Sequence, residues 1–116
     1  MITPGEYPLL LTDEVQRAIA ANRGRDPLEV ALDRNTPHAR LVATQVKYLA
    51  RAEAKLPSYA AAQCILPPLA FEQASSEACA AHKRIAGGAV LDLTCGLGAD
   101  AFFLARRFRR VVTLER

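Results

Sequence analysis

Apolar residues in the first half of the chain recur every three or four positions, which is the spacing of amphipathic helices. One such run predicts a helix over residues 13–23, with Thr12 as its N-cap and Gly24 as its stop signal. Two further helix starts are predicted where a capping residue precedes proline, at Asp26 and at Thr36. No strand signal interrupts these runs, so the first half is predicted to be a small helical bundle.

The same spacing predicts which faces of these helices are buried. The helix after Asp26 is expected to bury Leu28, Ala31 and Leu32, and the helix after Thr36 is expected to be the longest, ending before Pro57. Residues 1–8 contain two prolines and a glycine and are predicted to be irregular. The predicted buried face of the longest helix consists of Leu41, Gln45, Tyr48, Leu49, Ala52 and Leu56.

The second half changes to short apolar runs separated by proline and glycine. Residues 64–68 include two adjacent prolines and are predicted to be an extended linker. Ser75 or Ser76 is expected to cap a helix over 77–85, which two glycines would end. A buried strand from Val90, a helix over 101–108 and a second strand over 110–115 complete the pattern, which is typical of the start of a parallel α/β unit.

The turn after the first of these strands has the features of a nucleotide site. Asp92 would lie at the carboxyl end of the strand, where open α/β sheets bind ligands. Gly96 and Gly98 can adopt positive φ and let a ligand approach the backbone. Glu115 follows Gly96 by 19 residues, at the end of the second strand, where an acid can accept both hydroxyls of a ribose. The alternative interpretation is an ordinary βα turn with a surface glutamate.

A family resemblance supports the nucleotide interpretation. Residues 92–100, DLTCGLGAD, resemble motif I of class I S-adenosylmethionine-dependent methyltransferases, although Thr94 stands where that motif usually has its first glycine. Residues 66–83 resemble the segment that precedes motif I in a bacterial family with a helical N-terminal region and a C-terminal THUMP-like domain. The resemblance implies S-adenosyl-L-methionine as the cofactor. The cofactor-binding residues that it implies, or places beside the cofactor, are Gln73, Ser75, Ser76, Asp92, Thr94, Cys95, Gly96, Gly98, Asp100 and Glu115.

The resemblance also implies the domain organisation. Residues 1–73 would form a helical N-terminal domain, and residues 74–116 would begin a Rossmann-like S-adenosylmethionine-binding domain that is truncated after its second strand. In the family, an Asn/Asp-Pro-Pro-aromatic motif after the fourth strand holds the methyl-accepting base, and this sequence has no counterpart to it. We therefore expect the N-terminal part of a longer RNA methyltransferase, with catalytic residues beyond residue 116, and no activity in this part alone.

Charge and composition add little to this picture. The net charge of +3 is compatible with RNA as a partner. Three cysteines without CxxC spacing predict free thiols and no metal site. No long apolar run or signal peptide is present, so a cytoplasmic protein without membrane contact is expected. The basic residues of interest are Lys47, Arg51 and Lys55 on the longest helix, and Arg106, Arg107, Arg109 and Arg110 near the end of the chain; a solvated surface is the favoured interpretation of both sets.

Three function classes stay open from the sequence. The first is the S-adenosylmethionine-dependent methyltransferase. The second is another Rossmann-like enzyme of the NAD type. Ala101 argues against this class, because a dinucleotide fingerprint prefers a third glycine at that position. The third is a non-catalytic helical module that binds RNA or protein. The second strand, with Val111 in its centre, would also be an exposed apolar edge, which predicts self-association.

Overall fold

The computed structural model describes residues 2–115. The chain divides into two compact units between Pro68 and Leu69. The predicted domain boundary after residue 73 stays a prediction. The first unit contains a short 3-10 helix (Pro4–Glu6) and helices α1 (Tyr7–Leu10), α2 (Asp13–Asn22), α3 (Pro27–Leu32), α4 (Ala39–Lys55) and α5 (Pro57–Ala61). Helix α6 (Pro68–Gln73) begins at the boundary, and α7 (Glu77–His82), β1 (Gly87–Asp92), α8 (Ala99–Leu104) and β2 (Phe108–Thr113) follow it.

Helix α4 is the centre of the first unit. It contacts α2, α3 and α5, which explains why its buried surface is wider than one helical stripe. Leu41, Gln45, Leu49 and Ala52 are buried as predicted, whereas Tyr48 is only half-buried. Val42 and Val46 are buried in addition, because helices pack against α4 from more than one side.

A polar side chain lies in this core. The Gln45 carboxamide is 1% exposed, and its oxygen accepts a hydrogen bond of 2.8 Å from the Leu66 N–H. Its nitrogen donates to the Leu66 carbonyl oxygen at 3.2 Å. Leu66 lies in a segment that is neither helix nor strand, so the amide of Gln45 satisfies backbone groups that would otherwise lack a regular partner.

Two capping predictions are confirmed in the first unit. The Thr12 hydroxyl accepts from the Val15 N–H at the start of α2, and the Asp26 carboxylate accepts from the Leu28 N–H at the start of α3. The prediction that Thr36 caps the longest helix is wrong. The Thr36 hydroxyl donates instead to the carboxylate of Asp33 at 3.1 Å.

The start of α4 therefore lies later than predicted. His38, in the left-handed conformation with a φ of +47°, precedes Ala39, the first residue of the helix. The Asn35 N–H and the Thr36 hydroxyl hold the pKa of Asp33 below its ordinary value, because both donate to its ionised carboxylate.

Two further predictions for the first unit are wrong. Leu28 and Leu32 are 67% and 74% exposed, and α3 buries Val30 instead, because this helix of six residues packs on α4 through its opposite side. Residues 4–10 are helical rather than irregular, and Leu10 at the end of α1 is fully buried. Proline in the first turn of a helix is compatible with both short helices, since its missing N–H has no partner there in any case.

The second unit is built on two parallel strands. β1 and β2 pair in parallel with Val90 opposite Val111 and Leu91 opposite Val112, and α8 connects the strands. The predicted order of strand, turn, helix and strand is confirmed. Several boundaries differ: α6 was not predicted, α8 ends at Leu104 rather than at residue 108, and Phe108 begins β2.

Helix α7 ends at His82, three residues earlier than predicted. The Arg107 guanidinium donates to the carbonyl oxygens of Ala81 and Lys83, and this side chain therefore satisfies the free end of the helix. Gly87 is a strand residue rather than a helix stop. A Cβ at Gly87 would lie 3.0 Å from the ring of Phe108, its partner in β2, so glycine permits this close pairing.

One face of the sheet is open within the part of the chain that the structure describes. Leu91 and Val112 are 54% and 38% exposed, and with Ala89 and Arg110 they line a shallow groove of about 370 Å³. The exposure of Leu91 contradicts the prediction of a buried first strand, because no other element covers this face among the described residues, and the exposed edge predicted for β2 stays a prediction. No helix among residues 2–115 is both long and apolar enough to cross a membrane.

Candidate functional site

The candidate site lies where the carboxyl ends of the two parallel strands meet. Backbone pairing continues beyond the last strand residues: the Leu114 N–H donates to the Asp92 carbonyl oxygen at 2.8 Å, and the Cys95 N–H donates to the Leu114 carbonyl oxygen at 3.1 Å. Residue 115 therefore comes next to the turn that follows β1. Parallel pairing is the physical cause, since it places the acids at the ends of both strands at the same edge of the sheet.

Both glycines of the turn adopt the positive φ that the sequence predicted for them. Gly96 has a φ of +52° and Gly98 a φ of +79°. The Gly98 N–H donates to the Cys95 carbonyl oxygen at 2.8 Å, which closes the turn immediately before α8. A Cβ added at Gly96 would meet nothing within 4 Å, so the space beside this residue is open. The backbone therefore forms a tight turn, and a ligand can approach it from the open side of Gly96.

The structure brings Gly96 and Glu115 into direct contact. The Gly96 N–H donates a hydrogen bond to a carboxylate oxygen of Glu115, 19 residues further along the chain. Glu115 is otherwise exposed. This contact fixes one oxygen of the carboxylate against the glycine turn.

Asp92 contributes a second carboxylate at the same edge. One of its oxygens accepts from the Thr94 N–H at 3.1 Å. The other oxygen is buried and has no hydrogen-bond partner among residues 2–115. A buried carboxylate oxygen without a partner is costly, so a hydrogen-bond donor from a ligand would find its acceptor here.

Asp100, in the first turn of α8, joins two side chains that flank α7. One of its carboxylate oxygens accepts from the Ser75 hydroxyl at 3.1 Å, and the other accepts from the Lys83 ammonium group at 2.7 Å. Ser75 was a predicted site residue, whereas Lys83 was not. The sequence carries no signal for Lys83, because it lies at the C-terminal end of a short helix and its partner is 17 residues away.

The remaining predicted site residues have ordinary structural surroundings. The Ser76 hydroxyl accepts from the Cys79 N–H at 3.1 Å and so caps α7, as predicted for one of the two serines. Gln73 is exposed at the end of α6, and Thr94 is exposed in the turn. Cys95 has a free, half-buried thiol, and its backbone forms the turn. Across residues 2–115, no three His, Cys, Asp or Glu side chains are grouped so that they could hold a metal ion.

Several of the basic residues singled out in the sequence contact other parts of the protein. Arg107 binds the end of α7, as described above. The Arg106 guanidinium lies 5.0 Å from the ring centroid of Phe102, and the Arg51 guanidinium lies 5.4 Å from that of Tyr48. These are cation–π distances. A solvated surface with local aromatic partners therefore accounts for much of this charge.

A parallel strand, a glycine turn, a helix and a second strand, with an acid at the end of each strand, define a partial Rossmann-like domain. Over its whole length the chain is similar to the crystal structure of a "putative methyltransferase" from Porphyromonas gingivalis W83, with a TM-score of 0.73 and 27% sequence identity. The chain spans 30% of the length of that protein. No family model and no curated protein matches the chain. The structural similarity supports a methyltransferase-like fold for this chain.

Proposed function

We propose that the chain is the N-terminal part of an S-adenosylmethionine-dependent methyltransferase that acts on RNA. The observation that carries the proposal is the hydrogen bond between Gly96 and Glu115. It joins a glycine turn with positive φ to an acid that follows the next parallel strand, and an acid in this position can accept from ribose hydroxyls. The similarity to the Porphyromonas gingivalis protein supports the same class of enzyme.

The residues of the turn fit the proposed cofactor. The carboxylate of Glu115 has a second oxygen that can accept from ribose hydroxyls, and the open side of Gly96 leaves room for a ligand beside the backbone. The buried, unpartnered oxygen of Asp92 is available to a further donor. When bound, S-adenosylmethionine supplies an electrophilic methyl group on its sulfonium. The described residues would bind and orient this cofactor, and we expect the groups that act on the methyl acceptor to follow residue 116.

RNA as the substrate, and a THUMP-like domain in the whole protein, belong to the same proposal. They are supported by the resemblance of residues 66–83 to a segment of that bacterial family and by the net charge of +3. An enzyme of the NAD type is the second candidate, because an acid at the position of Glu115 would also suit the ribose of a dinucleotide.

Ligand selectivity tests the cofactor. The protein expressed from its complete reading frame would be titrated by calorimetry with S-adenosylmethionine, S-adenosylhomocysteine and NAD. We expect saturable binding of both adenosyl compounds and none of NAD. Preference for NAD would replace the proposal with the second candidate, and binding of none of the three compounds would refute a nucleotide site at this turn.

Methyl transfer tests the substrate. The same protein would be incubated with S-adenosylmethionine labelled in its methyl group and with bacterial RNA, and bacterial protein would serve as the competing acceptor. Label in RNA supports the proposal, whereas label only in protein contradicts RNA as the substrate. The 116-residue chain alone is expected to transfer no label, and clear transfer by it would show that the catalytic groups lie within this chain.

A further inference from the structure

Helix α4 carries three cations in one row, on the side of the helix opposite the buried residues Val42 and Leu49. Lys47, Arg51 and Lys55 are spaced four residues apart, so they follow one another along the helix over a rise of about 12 Å. Lys47 and Arg51 are exposed, and Lys55 is half-buried. We call these three residues the α4 cation row.

The α4 cation row differs from an ordinary solvated helix face, in which acids and bases alternate. The one acid in the sequence of α4 is Glu53, and its carboxylate lies 3.6 Å from the guanidinium of Arg23 at the end of α2. Like charges four residues apart also destabilise a helix slightly. The row therefore concentrates positive charge in an arrangement that does not stabilise α4 itself.

The ring of Tyr48 orders two members of the row. The Lys47 ammonium group lies 5.6 Å from the centroid of this ring, and the Arg51 guanidinium lies 5.4 Å from it, which are cation–π distances. Tyr48 is half-buried, so its ring supports both side chains from within the first unit. Long side chains lose conformational freedom when they bind a partner, and the ring reduces this loss by restricting both cations beforehand.

A row of cations fits a partner with a row of anions, and each nucleotide of a nucleic-acid strand contributes one phosphate charge. A rise of about 12 Å corresponds to roughly three or four stacked nucleotides, at about 3.4 Å each. A membrane surface fits less well, because a helix that binds lipid exposes apolar side chains beside its cations. The leucines and valines of α4 are instead buried within the first unit.

We propose that the α4 cation row binds the phosphates of an RNA strand, and that Tyr48 is a positioning residue for Lys47 and Arg51. This inference rests on the proposed function and deepens it. It assigns a contact with the RNA substrate to the first unit, on residues separate from the glycine turn and Glu115.

Fluorescence anisotropy with a labelled oligouridine about 12 nucleotides long measures this contact. The protein from the complete reading frame and its Lys47→Gln/Arg51→Gln double variant would be titrated at several salt concentrations. Each phosphate contact on a single strand contributes about 0.7 to the slope of log K against log salt. The slope of the double variant should therefore be shallower by about 1.4, and its binding at 0.1 M salt should be roughly 10- to 30-fold weaker.

Matched variants separate the row from general effects of charge and folding. Arg17→Gln/Arg34→Gln removes the same charge from exposed positions outside the row and should bind within about twofold of the parent. Tyr48→Leu should bind about threefold more weakly with an unchanged salt slope, because it removes no charge, and Tyr48→Phe should keep the parental affinity. Thermal unfolding of each variant measures whether folding has changed.

The outcomes separate this inference from the proposed function. Equal binding by the double variant and the parent, or an equal loss in the Arg17→Gln/Arg34→Gln control, would overturn the inference and leave the proposed function standing. Displacement of the oligouridine by polyglutamate or by phosphatidylserine vesicles at equal charge would overturn RNA as the partner of the row. Absence of binding by the parent would also overturn the inference, and label transfer would then decide separately whether RNA is the substrate.

Discussion

Glu115 is the residue whose replacement tests the proposed function most directly. One of its carboxylate oxygens accepts from the Gly96 N–H. The ligand is expected to add two hydroxyl donors to this carboxylate. Glu115→Ala removes these acceptors and leaves the Gly96 N–H to water, which can reach it because the space beside Gly96 is open. The variant should therefore bind the ligand poorly while folding normally.

The size of the effect follows from the exposure of the site. Charge-assisted hydrogen bonds contribute about 1.5 to 3 kcal/mol each when they are well formed and shielded. Glu115 is exposed, so the two bonds together should contribute only about 2 to 3 kcal/mol, which is a loss in affinity of roughly 30- to 150-fold. Glu115→Gln keeps one acceptor but loses the charge and should give a smaller loss, on the order of tenfold.

Calorimetric titration with S-adenosylhomocysteine measures these losses, and thermal unfolding without ligand measures whether folding has changed. Glu29→Ala, an exposed glutamate in the first turn of α3, is the matched control and should leave the dissociation constant unchanged. An unchanged dissociation constant in Glu115→Ala would remove this residue from the site and would take away the observation on which the proposed function depends. A loss that appears equally in the control would point to a general effect of charge.

Three further perturbations test other parts of the structure. Gly96→Val and Gly24→Val both place a β-branched residue at positive φ with no neighbour within 4 Å, so both variants should lose a similar amount of stability in denaturant unfolding. Only Gly96→Val should abolish binding of S-adenosylmethionine. Parental affinity in Gly96→Val would show that the turn is not part of the binding site. Gln45→Leu leaves the N–H and C=O of Leu66 without partners and should lower the free energy of unfolding, measured by urea titration, by about 2 to 4 kcal/mol. An unchanged free energy of unfolding would contradict the packing described for α4. We also propose that the open sheet face makes the 116-residue chain self-associate, and Val112→Lys should shift it toward monomer in sedimentation velocity; an unchanged distribution would show that β2 is not the contact.

Features that depend on neighbours in sequence could be predicted. Thr12 and Asp26 cap their helices because each hydroxyl or carboxylate reaches an N–H only two or three residues ahead. The positive φ of Gly96 and Gly98 follows from the tight turn between a strand and a helix. The local rule failed where two partners within three residues competed for the same side chain. Thr36 looks like a cap in sequence, but its hydroxyl binds Asp33 instead.

Some residues of the candidate site could likewise be predicted from the sequence, and others could not. Glu115 could be predicted, because parallel pairing brings the ends of consecutive strands together whatever the rest of the fold does. Lys83 could not, because its position depends on how α7 packs beside α8. Ser76 was ambiguous in sequence, since the same hydroxyl suits a helix cap or a ligand, and the structure shows the cap.

The sequence by itself determined the kind of element at most positions and the glycine turn at the candidate site, because helix periodicity, capping and glycine turns depend on atoms within a few residues of one another. The tertiary structure alone decided which side of α3 is buried, why the polar Gln45 lies in the core, and which cation pairs with Asp100. These outcomes depend on partners that are distant in sequence, and a side chain selects such a partner only after packing has brought the two groups within hydrogen-bond distance.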